Sequence, residues 1–156
     1  MGRWLMVLCL AAGAAMQAGA AQACAILAKL EAQHVAATPV VVRGEVLAVT
    51  PVENLGVELT IAVAETLQGT EAGRWVVTWG AESVVVPPHG LPEFAGRYGL
   101  EIVIGFVPDG PGFDGGTPPA RIDIGTGSMP RVACGEPFVG SYAELEPLLR
   151  EAGLVE

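Results

Sequence analysis

Val40-Val41-Val42-Arg43-Gly44-Glu45-Val46-Leu47-Ala48-Val49-Thr50 and Val57-Glu58-Leu59-Thr60-Ile61-Ala62-Val63-Ala64-Glu65-Thr66-Leu67-Gln68-Gly69 are two runs joined by a short polar link. In the second run Val57, Leu59, Ile61 and Val63 fall on one side and Glu58, Thr60, Ala62 and Ala64 on the other, the period of a half-buried strand. In the first, Val40, Val42, Val46 and Ala48 share a side with Gly44, while Arg43 and Glu45 lie opposite. A glycine inside a strand marks a bulge or a bend, as where a sheet curls into a barrel. The pair therefore predicts a bent sheet, not a helical core.

Further strands follow downstream. Trp75, Val77 and Trp79 alternate along Arg74 to Trp79, so both indoles share a face. Core packing is one reading of that face, and an aromatic binding platform is the other. A fourth strand is expected over Tyr98 to Val107, apolar on both sides past Ile102, which suits a central position. A fifth is expected over Ala120 to Gly125, with Ala120, Ile122 and Ile124 inward and Arg121 and Asp123 wet. Ser83 to Val86 reads as a short edge strand, and Pro87-Pro88-His89-Gly90 as a surface loop that presents His89.

Two helical segments flank these strands. Cys24 to Ala37 is rich in helix formers and ends at Thr38-Pro39. Near the C-terminus, Ser141-Tyr142-Ala143-Glu144 matches a capping box, Leu145, Leu148 and Leu149 make an apolar face, and Gly153 fits a stop. Pro147 either kinks that helix or sits at the first position of a shorter one. The fold expected is mainly β: a small five-stranded Greek-key barrel of the OB type, with an N-terminal helical segment and a C-terminal helix.

The first 23 residues read as an export signal, with Arg3, an apolar run from Trp4 to Ala15, and small residues up to Ala23. Cleavage before Ala21 or before Cys24 fits the small-residue pattern equally. Residues 24–156 then form one domain, exported to the periplasm or secreted, and the alanine, glycine, valine and arginine bias looks bacterial. Loss of Arg3 leaves seven basic side chains against seventeen acidic ones. Such a chain repels nucleic-acid phosphates and anionic membranes, and once the signal is cleaved nothing is left to span a bilayer. With Cys9 removed, Cys24 and Cys134 remain, and in an oxidising compartment a disulfide between them is expected.

Chemistry-bearing motifs are sparse. The three serines of the mature chain, Ser83, Ser128 and Ser141, lie in no nucleophile motif, and His34 and His89 have no metal-ligand spacing. Asp109 to Gly116 lacks the ligand pattern of a calcium-binding hand. No cofactor, metal or catalytic residue is therefore expected.

The run from Val40 to Val46, the run from Leu59 to Gly69 and Cys134-Gly135 beyond the fifth strand resemble secreted netrin-like domains, the group that includes tissue inhibitors of metalloproteinases. The resemblance implies an OB-type barrel and an exported, non-enzymatic module that binds an envelope or extracellular protein. In the inhibitors, an N-terminal cysteine chelates the protease zinc through its amine and carbonyl, a role that here falls to Cys24 after cleavage at Ala23. Ile26 stands where those inhibitors carry a second cysteine, and Gln68 where a basic residue precedes the glycine. Two alternatives accompany this reading: a lipid-anchored envelope protein acylated at Cys24, and a secreted enzyme using a wall around Trp75, Trp79 and His89.

Overall fold

The computed structural model describes residues 28–81, 83, 85–110, 113, 117–130 and 135–156. In chain order they form α1 (Ala32–Ala37), β1 (Val40–Val52), β2 (Gly56–Gln68), β3 (Glu71–Trp79), α2 (Leu91–Tyr98), β4 (Glu101–Asp109), β5 (Arg121–Ser128), β6 (Val139–Gly140) and α3 (Tyr142–Glu151). The six strands make one sheet in the order β1-β2-β3-β5-β4-β6, and β1 also pairs with β4, so the sheet partly closes into a ring. No helix among the described residues is long and apolar enough to cross a membrane.

Closure depends on β1. It pairs with β2 from Val41↔Gln68 to Val52↔Gly56, while its first half also pairs with β4 from Val40↔Phe106 to Glu45↔Glu101. Serving both neighbours requires a bend, and the β1–β2 register shifts between Val41 and Val42, between Arg43 and Gly44, and between Val46 and Ala48. At Gly44 a β-carbon would run into the Ala62 carbonyl oxygen, so only glycine lets the two backbones approach there. The hairpin turns through Asn54, at φ 61°, a left-handed conformation that asparagine tolerates better than most residues.

Inward-facing side chains of β1 to β4 fill the ring. Val42, Leu59, Ile61, Val77, Ile102 and Ile104 are all fully buried. Trp75 meets Phe106 edge-on with ring centroids 4.8 Å apart, and Trp79 meets Tyr98 at 5.8 Å. Each such pair adds about 0.5–1.5 kcal/mol beyond the area it buries. A second cluster lies behind β1 and β4, where Val41 and Val103 pack with Val35 of α1, Phe138, and Leu145 and Leu149 of α3. Burial on both sides is why β1 opens with three consecutive valines and β4 is apolar on both faces.

α3 carries its own start and stop signals. The Ser141 hydroxyl accepts from the Glu144 backbone N–H at 3.3 Å, and the Glu144 carboxylate accepts from the Ser141 backbone N–H at 3.1 Å, a complete capping box. At the far end Gly153 takes φ 77°, with Leu154 N–H donating to Leu149 O and Gly153 N–H to Arg150 O, a Schellman closure. The helix runs through Pro147, whose ring is exposed. Ser141→Ala should lower stability by about 1 kcal/mol in urea unfolding. Glu144 is held below its ordinary value of 4.5, first by the Ser141 hydroxyl and then by the Ser141 backbone N–H. Its depressed folded-state value means that its contribution is complete above 4.5 and is lost as pH falls through the lowered value. Glu144→Gln should therefore flatten the acid side of a plot of unfolding midpoint against pH.

Several segments differ from the sequence-based expectation. The N-terminal helix spans only Ala32–Ala37, because Ala28 forms a parallel bridge with Gly135, and residues 24–27 lie outside the described residues. Ser83, Val85 and Val86 are not in a strand. Tyr98 belongs to a helix, α2, not to β4, which begins at Glu101. Gly90 is its extended N-cap, Pro92 sits in its first turn, and Gly99 ends it at φ 80°. With that helix in place, Phe94 is buried and Tyr98 lies against Trp79.

In β5 the inward face is reversed past Ile122: Gly125 and Gly127 face the core, and Ile124 is 61% exposed. Both β3 and β5 break their alternation at the same level, Gly73 and Arg74 opposite Asp123 and Ile124. The Trp75 ring then lies directly on Gly125, and the Phe106 ring on Gly127, so the bulk that fills this wall comes from neighbouring strands.

Candidate binding surface

Trp75 and Trp79 point into the ring, 0% and 1% exposed, and neither indole N–H meets an acceptor among the described residues. The structure places both in the packing role, with no ring face open for a ligand to stack on. His89 is exposed on the connection into α2, and its backbone N–H donates to the Glu93 carboxylate at 2.9 Å. Glu93 is held below its ordinary value, first by that N–H and, against the opposing effect of desolvation, by Arg97. Arg97 in turn donates to the Val86 carbonyl at 3.1 Å, so the Glu93–Arg97 pair ties the loop carrying His89 to its helix. The indoles and His89 therefore do not share a surface. Cys24 and Cys134 lie outside the described residues, but the chain on either side of the expected bridge comes together: Glu136 N–H donates to Ala28 O at 3.0 Å.

Chemistry open to a partner lies on the outside of the ring, around the bend of β1. One cleft of about 480 Å³ is lined by Arg43, Gly44 and Glu45 of β1, by Ala62 and its successors on β2, and by Glu101 of β4. A second, of about 440 Å³, lies on the other side of β2 against Glu71, Ala72, Gly73 and Arg121. The two adjoin at Val63, Ala64 and Glu65 of β2, and the pair of clefts is called the trough. Side chains near its floor, Gly44, Ala62, Ala64, Ala72 and Gly73, are small, and β2 leaves β3 after Ala62↔Arg74 although β2 continues to Gln68 and β3 begins at Glu71.

The walls of the trough are charged. Glu45 and Glu101 are direct cross-strand partners, an arrangement that costs energy in an isolated sheet. Arg43 is the cross-strand partner of Glu65, yet its guanidinium lies over the Tyr142 ring, 4.7 Å from the centroid. Among the described residues the ion pairs are Glu93–Arg97 and Glu146–Arg150, neither of which reaches the trough. No group of three or more His, Cys, Asp or Glu side chains among the described residues is placed to hold a metal ion. Sequence reading put Arg43 and Glu45 on the outer side of β1 but did not bring Glu65 and Glu101 beside them, since both pairings cross large sequence separations. No family model, no curated protein and no solved structure matches this chain.

Proposed function

We propose that this chain is an exported, non-enzymatic binding module on an OB-type, netrin-like barrel, acting in the periplasm or outside the cell on an envelope or extracellular protein. The observation that carries this reading is the strand order β1-β2-β3-β5-β4 returning to β1, with β3 and β5 parallel and α2 inserted between β3 and β4. That arrangement fits a small, partly open Greek-key barrel, a scaffold used for binding through its outer strands and loops. Its interior supports the same conclusion. Trp75, Trp79, Phe94 and Phe106 fill the ring and are at most 1% exposed, so recognition falls to the outer surface.

Expression with the native leader, followed by fractionation and N-terminal sequencing, tests export: a processed protein outside the cytoplasm is expected, and an unprocessed cytoplasmic one overturns the reading. Saturable capture of an envelope or extracellular protein by the processed form tests the binding role. The metalloprotease-inhibitor version makes a narrower demand. Protein beginning at Cys24 should inhibit a zinc endopeptidase, and a single alanine added before Cys24 should abolish inhibition, because the α-amine would no longer reach the metal. Equal potency of both forms removes that version and leaves the binding module intact.

A further inference from the structure

We propose that Asp109-Gly110 is a self-modification site, where the main-chain nitrogen of Gly110 closes on the Asp109 carboxyl carbon to a succinimide that water opens to an isoaspartyl linkage. The dipeptide stands where the ladder of β4 stops. Asp109 is exposed and forms the last register pair of β4 with β5, opposite Thr126, while Gly110 turns out of the sheet at φ 105°. Glycine shields its own nitrogen least, because no β-carbon stands beside the line of attack. The Gly110 N–H donates to no main-chain acceptor among the described residues, so ring closure has no such bond to break there. Asp123 is the internal comparison: the β-branched Ile124 follows it, inside the β3–β5 ladder opposite Arg74.

Two hydroxyls of β5 fall on the two reacting groups. Thr126 Oγ1 donates to the main-chain oxygen of Asp109 at 3.3 Å, and that oxygen belongs to the same peptide unit as the attacking nitrogen. Donation there draws charge onto the oxygen and helps the amide release its proton. Ser128 Oγ donates to Asp109 Oδ1 at 3.5 Å, which withdraws electrons from the carbon under attack. The nitrogen pair forms the new N–C bond, the C–OH bond of the protonated carboxyl breaks, and the hydroxyl leaves as water with the amide proton. A second water then adds to a ring carbonyl and breaks its bond to nitrogen. Opening at the side-chain carbonyl restores aspartate, whereas opening at the main-chain carbonyl routes the chain through the side chain and frees an α-carboxylate. The added methylene lands on the pair that ends the β4–β5 contact, a ladder of Val107↔Ser128, Pro108↔Gly127 and Asp109↔Thr126, so the modified chain loses closure at that seam.

The test holds the purified mature protein for weeks at physiological temperature in mildly acidic buffer, followed by digestion and mass mapping. The peptide carrying Asp109 should first appear one water lighter, then as an isomer of unchanged mass that resists a protease cutting before aspartate. Asp109→Glu, which needs a less favourable six-membered ring, should give neither product. Thr126→Val and Ser128→Ala, each with a native near-UV spectrum, should react about threefold to tenfold more slowly, the factor for one ordinary hydrogen bond. Thr126→Ser keeps the hydroxyl and should react at the wild-type rate. Absence of product at Asp109, product confined to Asp114-Gly115, equal product at Asp123, or an unchanged rate in either hydroxyl-deleted variant overturns the proposal.

Discussion

Trp75→Ala is expected to lower the free energy of unfolding by about 3–5 kcal/mol, the range for removing a large aromatic side chain from a packed core. The ring is fully buried, packs edge-on against Phe106 and lies over Gly125, its register partner on β5. Gly125→Val is expected to be destabilising in its own right, by about 1–3 kcal/mol or more, because its β-carbon would occupy space held by the indole. The two changes should not add. With the indole gone, the valine refills part of the cavity, so the double variant should be more stable than the sum of the singles by about 0.5–3 kcal/mol. Urea unfolding of the four proteins measures this directly. Additive losses would mean that Trp75 and Gly125 are not in contact.

Cys134→Ser, or reduction of the protein, is expected to cost about 2–5 kcal/mol through loss of the proposed bridge to Cys24. The loop it would close is roughly 110 residues long, for which chain entropy alone sets an upper value near 4–5 kcal/mol. Support from the described residues is the pairing of Ala28 with Gly135, which brings together the chain just after one cysteine and the chain just after the other. A mass two hydrogens below that of the dithiol, with a lower unfolding midpoint after reduction, is the expected result. A diacylglycerol adduct on Cys24 with a free thiol at Cys134 would instead establish the lipid-anchored alternative and end the bridge.

Much of the sheet was legible because period-two alternation reports which side of a strand meets the core. Val57, Leu59 and Ile61, and likewise Trp75, Val77 and Trp79, are buried as their spacing implies. Gly44 was legible as a bend because a missing side chain inside a strand has few other uses. β5 misled for the complementary reason. Ile122 and Ile124 look like an inward pair, but the space beside them is filled from β3 and β4 by Trp75 and Phe106, and only glycine fits beneath those rings. α2 was hidden because Leu91-Pro92-Glu93-Phe94-Ala95-Gly96-Arg97-Tyr98 contains one proline and one glycine, which weaken a helical pattern, and its last residue, Tyr98, fits the alternation of the strand that follows. A first-turn proline and the Glu93–Arg97 spacing were the signals available for it.

By itself the sequence determined a β-rich chain with a bent first strand, two tryptophans on one face of a strand and a capped final helix, since propensity, alternation and capping act over a few neighbouring residues. Tertiary structure alone decided that β1 touches both β2 and β4, that the ring partly closes, and that Glu45 meets Glu101 beside Arg43. Those contacts join residues dozens of positions apart. Their formation depends on how whole strands bend and pack, a property that no local window of the chain contains.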